Sequence, residues 1–168
     1  MSESTPHRIV VMGPSATGKS TVGAALARAL GLPFVDGDDL HPAANTAKMA
    51  AGTPLTDEDR WPWLDAVGGV LDDAGDGVGV VVACSALKRA YRDRIRASAP
   101  ATWFLELAIT EQEAARRSSA RAGHFMPAAL VESQFATLEP LGPDEPGLRV
   151  DATEGVAEIV ERALASVE

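Results

Sequence analysis

The feature that most constrains this chain is Gly13-Pro14-Ser15-Ala16-Thr17-Gly18-Lys19-Ser20. It fits G-x-x-x-x-G-K-[ST], and its flanks are the ones such a loop requires. Ile9-Val10-Val11-Met12 before it reads as a short buried strand. After it, Val22, Leu26, Ala29 and Leu30 share one helix face, and Gly31 is a stop residue. A glycine-rich turn between a strand and a helix curls the backbone so that successive N–H groups converge on an anion. The helix start adds unpaired donors and a partial positive charge. The reading assigns Gly13, Pro14, Ser15, Ala16, Thr17, Gly18, Lys19, Ser20 and Thr21 to a nucleoside triphosphate. Lys19 is placed on the β- and γ-phosphates as a catalytic residue, and the Ser20 hydroxyl on Mg²⁺. Such a loop alone does not separate a kinase from an ATPase, a GTPase or a switch.

Strand and helix signals alternate along the rest of the chain, which predicts an α/β fold with a five-stranded parallel sheet flanked by helices. Strands are expected at about 8–12, 33–35, 78–84, 102–109 and 148–150. Helices are expected at 19–30, from Pro42 to Gly52, after Thr56, over 86–98, from Thr110 to Arg121, from Pro127 to about Glu139, and over 154–167. The helix after Thr56 begins with a cap and three acids in its first turn. It then meets Pro62, which should break or offset it, and Gly68-Gly69, each costing about 1 kcal/mol against alanine. A doubly wound sheet binds ligands at its C-terminal strand ends. The phosphate loop, Asp36-Gly37-Asp38, and Ser85 with Lys88 all fall at such ends.

At 168 residues the chain forms one domain with a sizeable core. A net charge of −9 and the lack of a basic stripe speak against nucleic-acid or membrane partners. The one cysteine, Cys84, rules out an internal disulfide and reads as a buried thiol. Met1 to His7 lacks the layout of a signal peptide, and no apolar run reaches the length of a membrane span. A cytoplasmic enzyme is the expectation.

The third strand ends in Ala83-Cys84-Ser85 and supplies no acid for a metal, so the carboxylate must come from elsewhere. Asp36 is assigned to the Mg²⁺ shell through water, and Asp38 to the acceptor hydroxyl. The plain alternative is a pair of solvated turn residues. Arg60 sits among Asp57, Glu58 and Asp59, where a surface ion pair would be worth little. Trp61 and Trp63 read as core before ligand platform. Arg117 and Arg121 are four apart and share a helix face, with Gly123 as a hinge beyond them. They are assigned to the transition state of the triphosphate, on a lid at about 115–130.

The chain resembles the gluconate kinase (gluconokinase) family of small phosphate-loop kinases. The resemblance rests on Gly13 to Ser20, DGDDLHP (36–42) with Asn45 and Lys48-Met49, GTPLTDEDRWPWL (52–64), CSALKRAYRDRIR (84–96), ARAGHFM (120–126) and SQFATLE (133–139). It implies ATP- and Mg²⁺-dependent phosphorylation of D-gluconate at O6. It also implies a nucleoside-monophosphate-kinase-like fold with a helical lid, and a homodimer. Pro140-Leu141-Gly142-Pro143 departs from the family pattern, which bears on the adenine edge and not on the chemistry. Gluconate has one carboxylate and several hydroxyls. Arg60 is assigned to the carboxylate through a bidentate fork. Lys88, His124 and Gln134 are candidates for hydroxyls or the transferred phosphoryl group, with His41 beside them. Two other readings stay open: a kinase of another hydroxy acid such as shikimate, and a switch ATPase without an acceptor.

Overall fold

The computed structural model describes residues 6–14, 16–74, 77–120 and 128–167. Along it run β1 (His7–Met12), α1 (Lys19–Leu30), β2 (Phe34–Asp36), a 3₁₀ turn (Gly37–Leu40), α2 (Ala43–Ala50), α3 (Asp57–Asp73) and β3 (Gly79–Ala83). There follow α4 (Arg89–Ser98), β4 (Trp103–Ala108), α5 (Glu111–Ala120), α6 (Ala128–Thr137), β5 (Gly147–Asp151) and α7 (Val156–Val167). The strands form one parallel sheet in the order β2-β3-β1-β4-β5, as the alternation of elements predicts. The chain leaves β1 toward β2 and leaves the neighbouring β3 the opposite way toward β4, so the winding reverses between β1 and β3. Loops that part at such a point leave a crevice above the C-terminal strand ends.

The apolar run of β1 serves two cores, because successive strand side chains point to opposite faces. Val10 and Met12 pack with Trp63, Leu64, Val67 and Leu71 of α3 and with Tyr91 and Ile95 of α4. Ile9 and Val11 pack with Val22 and Leu26 of α1 and with Ile159 and Ala163 of α7. Each fully buried aliphatic side chain contributes about 1.5–3 kcal/mol relative to exposure. Covered on both faces, β1 and β3 hold the loops at their ends against a rigid base.

Local signals set most boundaries. The Gly31 N–H donates to the Ala27 and Arg28 carbonyls and closes α1. The Asp59 N–H donates to Thr56 Oγ1 at 3.1 Å, and the Thr56 N–H donates to Asp59 Oδ2 at 2.9 Å, so α3 starts on a capping box. Pro62 does not break α3, which runs on to Asp73. It stands just past the first turn, where one backbone hydrogen bond is forfeited and packing of the helix face outweighs the loss. Gly68 has a packing reason: a Cβ there would lie 2.9 Å from Ser98 Cβ on α4. Gly69 faces open space, and nothing in the structure explains it.

The fourth helix starts at Arg89, not at Ala86. Ala86 has φ 43, a left-handed conformation that a helix excludes. The loop it belongs to is held at three carbonyls. The Gly13 N–H donates to Ser85 O at 3.2 Å, Arg92 Nη1 to Ala86 O at 2.8 Å, and the Glu139 N–H to Leu87 O at 2.7 Å. Arg92 is itself fixed by a bidentate pair with Glu145, at 2.8 and 3.0 Å, both side chains being 1% exposed. Burial pushes the Glu145 carboxyl up, but hydrogen bonds from Arg92, the Gly142 N–H and Arg96 prevail and hold it at about 2. The Pro140–Pro143 loop belongs to this network. The Leu141 N–H donates to Glu106 Oε1 and the Gly142 N–H to Glu145 Oε2, both at 2.8 Å. The loop thus helps to support the Ser85–Leu87 loop through Arg92, whose Nη2 also donates to Pro140 O at 3.4 Å.

Candidate active site

The loop after β1 has the backbone a phosphate cradle needs. Gly13 has φ 144, and a Cβ there would lie 2.8 Å from the Leu107 carbonyl oxygen. Ala16 and Gly18 also have positive φ, at 68 and 91, so the chain turns repeatedly toward one centre. Thr17 Oγ1 donates to Pro14 O at 2.8 Å and Lys19 Nζ donates to the same oxygen at 3.0 Å. The first turn of α1 contains no acid, and Ser20 and Thr21 are exposed on it. That helix end suits an anion. Ser15 lies outside the described residues.

Ser20 Oγ donates to Asp36 Oδ2 at 3.0 Å, and Asp36 Oδ1 accepts from the Asp38 N–H at 3.0 Å. A hydroxyl and a carboxylate oxygen so close are the donor types a hard divalent cation takes. Asp36 and Ser20 thus fit the Mg²⁺ role expected of them. The close turn needs Gly37, where a Cβ would stand 2.3 Å from the Ala83 carbonyl oxygen. Burial pushes the Asp38 carboxyl up; Lys19 opposes this, and Asp36 and Asp39 add to it.

Asp38 and Lys19 open into a cavity of about 240 Å³ between the 3₁₀ turn, α2, α3 and the Ser85–Leu87 loop. Its polar wall includes Lys19, Asp38, His41, Arg60, Ser85 and Gln134, and its apolar wall includes Met49, Leu55, Trp63 and Leu87. Among the substrate candidates, Asp38, His41, Arg60 and Gln134 therefore come together. A more open cavity of about 420 Å³ lies at the ends of β4 and β5, lined by Thr110, Arg149 and Asp151 among others. Although larger, it includes neither Lys19 nor Asp38.

Trp63 is core, as expected of a tryptophan, and it is also the cavity floor. Its Nε1–H donates to Gly37 O at 2.8 Å, and His41 stacks on it with ring centroids 4.0 Å apart. Asn45 Nδ2 donates to the Asp59 carbonyl at 2.8 Å, which fixes its amide orientation. The same nitrogen lies 3.1 Å from His41 Nδ1, which must then be the accepting nitrogen. The neutral ring therefore carries its proton on Nε2, where it can donate to a substrate oxygen. Burial, then the Arg60 charge, lower the His41 pKa to about 4. Its stabilising contribution is full above the unfolded value of about 6.5 and is lost as pH falls through about 4. A ring-proton titration by NMR should place the His41 midpoint near 4; a midpoint near 6.5 would contradict this packing.

Arg60 faces the cavity with its side chain 12% exposed. Its Nη1 donates to Tyr91 Oη at 2.7 Å, and Tyr91 in turn donates to Asp57 Oδ1. Lys88 does not line the cavity among the described residues. Its Nζ lies 3.4 Å from Asp57 Oδ1 instead, because Lys88 precedes α4 and faces the start of α3. Arg117, on α5, reaches the phosphate loop: Nη1 donates to Ala16 O at 3.4 Å and Nη2 to Ala152 O at 3.2 Å. Arg121 and His124 lie outside the described residues, as does the middle of the expected lid. The Tyr91–Asp57 contact behind Arg60 was not foreseen. Its only signal was the membership of the two residues in the CSALKRAYRDRIR and GTPLTDEDRWPWL stretches.

A phosphate loop at the end of β1, a serine–aspartate pair beside it and an acceptor cavity opening on the loop lysine define a phosphate-loop kinase. A family model described as an AAA domain matches residues 9–141. The gluconokinase of Gluconobacter oxydans (strain 621H) is 49% identical over 146 residues, covering 86% of this chain and 82% of that protein. The thermosensitive gluconokinase of Escherichia coli (strain K12) is 41% identical over 165 residues, covering 94% and 86%. The crystal structure of a gluconokinase from Sinorhizobium meliloti 1021 superposes with a TM-score of 0.86 at 48% identity, covering 98% of this chain and 93% of that one. The chain belongs to the gluconokinase family.

Proposed function

We propose that the protein transfers the γ-phosphoryl group of ATP to O6 of D-gluconate. The observation that carries this reading is the opening of Lys19, Asp38 and Arg60 into one small cavity. Backbone N–H groups of residues 16–19 hold the triphosphate, and Lys19 meets the β- and γ-oxygens. Ser20, and Asp36 through water, would hold Mg²⁺, which would supply charge neutralisation. Asp38 orients the acceptor hydroxyl and takes its proton, and the raised pKa given by burial suits that task. His41 Nε2–H, Gln134 and His124 bind hydroxyls, and Arg60 pairs with the carboxylate. Arg117 and Arg121 neutralise charge developing on the phosphates, on a lid at about 115–130 within a single kinase domain. The cavity lies below the ~300–1,000 Å³ of drug-sized pockets, which suits a six-carbon acid.

The same reading makes the protein a cytoplasmic homodimer without nucleic-acid or membrane partners. The dimer rests on the family resemblance. The net charge of −9 speaks against polyanions, and no described helix is long and apolar enough to cross a membrane.

Coupled ADP release with gluconate, glucose and shikimate tests the reading. Glucose lacks the carboxylate, and leaving a guanidinium without its anion costs roughly 2–4 kcal/mol, or about 30- to 1000-fold in kcat/KM. Gluconate should be preferred over glucose by that factor, and shikimate should fail. Arg60→Ala should raise the gluconate KM and shrink the preference. ADP release that ignores gluconate would favour a switch ATPase and overturn the assignment.

A further inference from the structure

The guanidinium at the wall of the acceptor cavity is held in an unusual way. Arg60 Nη1 and Asp57 Oδ1 form only a long ion pair at 4.0 Å on the first turn of the same helix, beyond the reach of a direct hydrogen bond. The Tyr91 hydroxyl stands between them. It accepts from Arg60 Nη1 at 2.7 Å and donates its one proton to Asp57 Oδ1. The order of donors is therefore fixed from guanidinium to hydroxyl to carboxylate. Burial, then the bond to Asp57, push the Tyr91 phenol up to about 12, so it remains a donor throughout the working range. Lys88 Nζ approaches the same carboxylate oxygen at 3.4 Å. Two cations thus share one anion, and the group carries a net positive charge that reaches the cavity through Arg60. Asp38, the carboxylate on the opposite wall, is met by Lys19.

We propose that Tyr91 is the positioning residue for acceptor specificity: its hydroxyl keeps Arg60 from closing onto Asp57, and so leaves the guanidinium aimed at a singly charged carboxylate acceptor. The inference rests on the assignment of Arg60 to the acceptor carboxylate. Without the hydroxyl, the hydrogen-bonding group that bridges Arg60 and Asp57 is gone. Asp57 can then accept from Arg60 directly, which draws the guanidinium away from the acceptor. Tyr91 is 1% exposed and packed in the core between α3 and α4, so its ring is held in place independently of the hydroxyl.

The test compares gluconate with D-gluconamide, in which an uncharged amide replaces the carboxylate. Tyr91→Phe should raise the gluconate KM about tenfold, the size expected for one hydrogen bond to a charged group. The gluconamide KM and both kcat values should stay within about twofold, since neither depends on the Arg60 charge. Adding Asp57→Asn should restore the gluconate KM to within about threefold of the parent, because the competing anion is gone. Asp57→Asn alone, at a half-exposed site, should leave the preference intact. Melting temperature and the KM for ATP report whether each variant is folded. Equal losses on both substrates, no recovery in the double variant, or an Asp57→Asn loss as large as that of Tyr91→Phe would each overturn the proposal. Arg60→Met separates the two levels. If it leaves the gluconate preference at the parent value, the carboxylate assignment falls and the proposal with it. If it abolishes the preference while Tyr91→Phe keeps it, only the role of Tyr91 falls.

Discussion

Lys19→Ala should lower kcat by at least about 10²–10³ while leaving the fold intact, the loss typical of removing one preorganised donor from a developing anion. Lys19 is the first residue of α1, and its Nζ donates to Pro14 O within the loop. It also lines the cavity that contains Asp38. Its charge is thus held at the phosphate loop, facing the cavity. In phosphoryl transfer the charge spreads over the equatorial oxygens, and catalysis is mostly positioning and electrostatic stabilisation. Removing the cation therefore acts on the transition state more than on the ground state, and ATP affinity should fall by less than turnover. The core does not depend on Lys19, since the face of α1 toward the sheet is made by Val22, Leu26 and Ala27. Circular dichroism and a melting curve should match the parent. A folded Lys19→Ala protein with near-parent turnover would remove the residue from the catalytic centre.

Sequence reading reached as far as local rules reach. The phosphate loop, the bounds of α1 and the Thr56 cap follow from residues that contact their near neighbours, so spacing alone reveals them. The contact of Ser20 with Asp36, 16 residues apart, was not foreseen as such: the sequence placed both residues at C-terminal strand ends, and the sheet brings those ends together across β3. Where packing of distant helices decides, the sequence is silent. Tyr91 meets Asp57 across 34 residues and Arg92 meets Glu145 across 53, and neither pair leaves a periodic mark. Lys88 was expected in the cavity because it follows β3, as the loop ligands follow β1 and β2. The left-handed Ala86 defeats that analogy: it delays α4 until Arg89, while Lys88 turns toward Asp57 and Ser85 and Leu87 take its place at the cavity. Pro62 was expected to interrupt α3. Its place just past the first turn makes one lost hydrogen bond tolerable, and the buried face from Trp63 to Leu71 outweighs it.

Asp38→Asn should reduce kcat by about 10²–10⁴, the range for losing a positioned proton acceptor, and should leave the Mg²⁺ requirement of the residual activity unchanged. Asp36→Asn should do the reverse, shifting the Mg²⁺ dependence to higher concentration with a smaller loss at saturation. The two carboxylates sit two residues apart yet occupy different environments. Asp36 uses one oxygen on Ser20 and the other on the Asp38 N–H, which commits it to the phosphate loop and the 3₁₀ turn. Asp38 begins the 3₁₀ turn's acidic pair, lines the cavity and is pushed up by burial, with Lys19 beside it holding the shift in check. A carboxylate that is costly to ionise is better prepared to accept a proton from a hydroxyl than a fully solvated one. Asparagine keeps the hydrogen-bonding shape at 38 and removes the basicity, so the gluconate KM should change little while kcat falls. Titrating Mg²⁺ against turnover for both variants decides the assignment. A Mg²⁺ requirement that moves with Asp38, and a kcat loss that moves with Asp36, would exchange the two roles; equal effects on both parameters would make them one shared metal site.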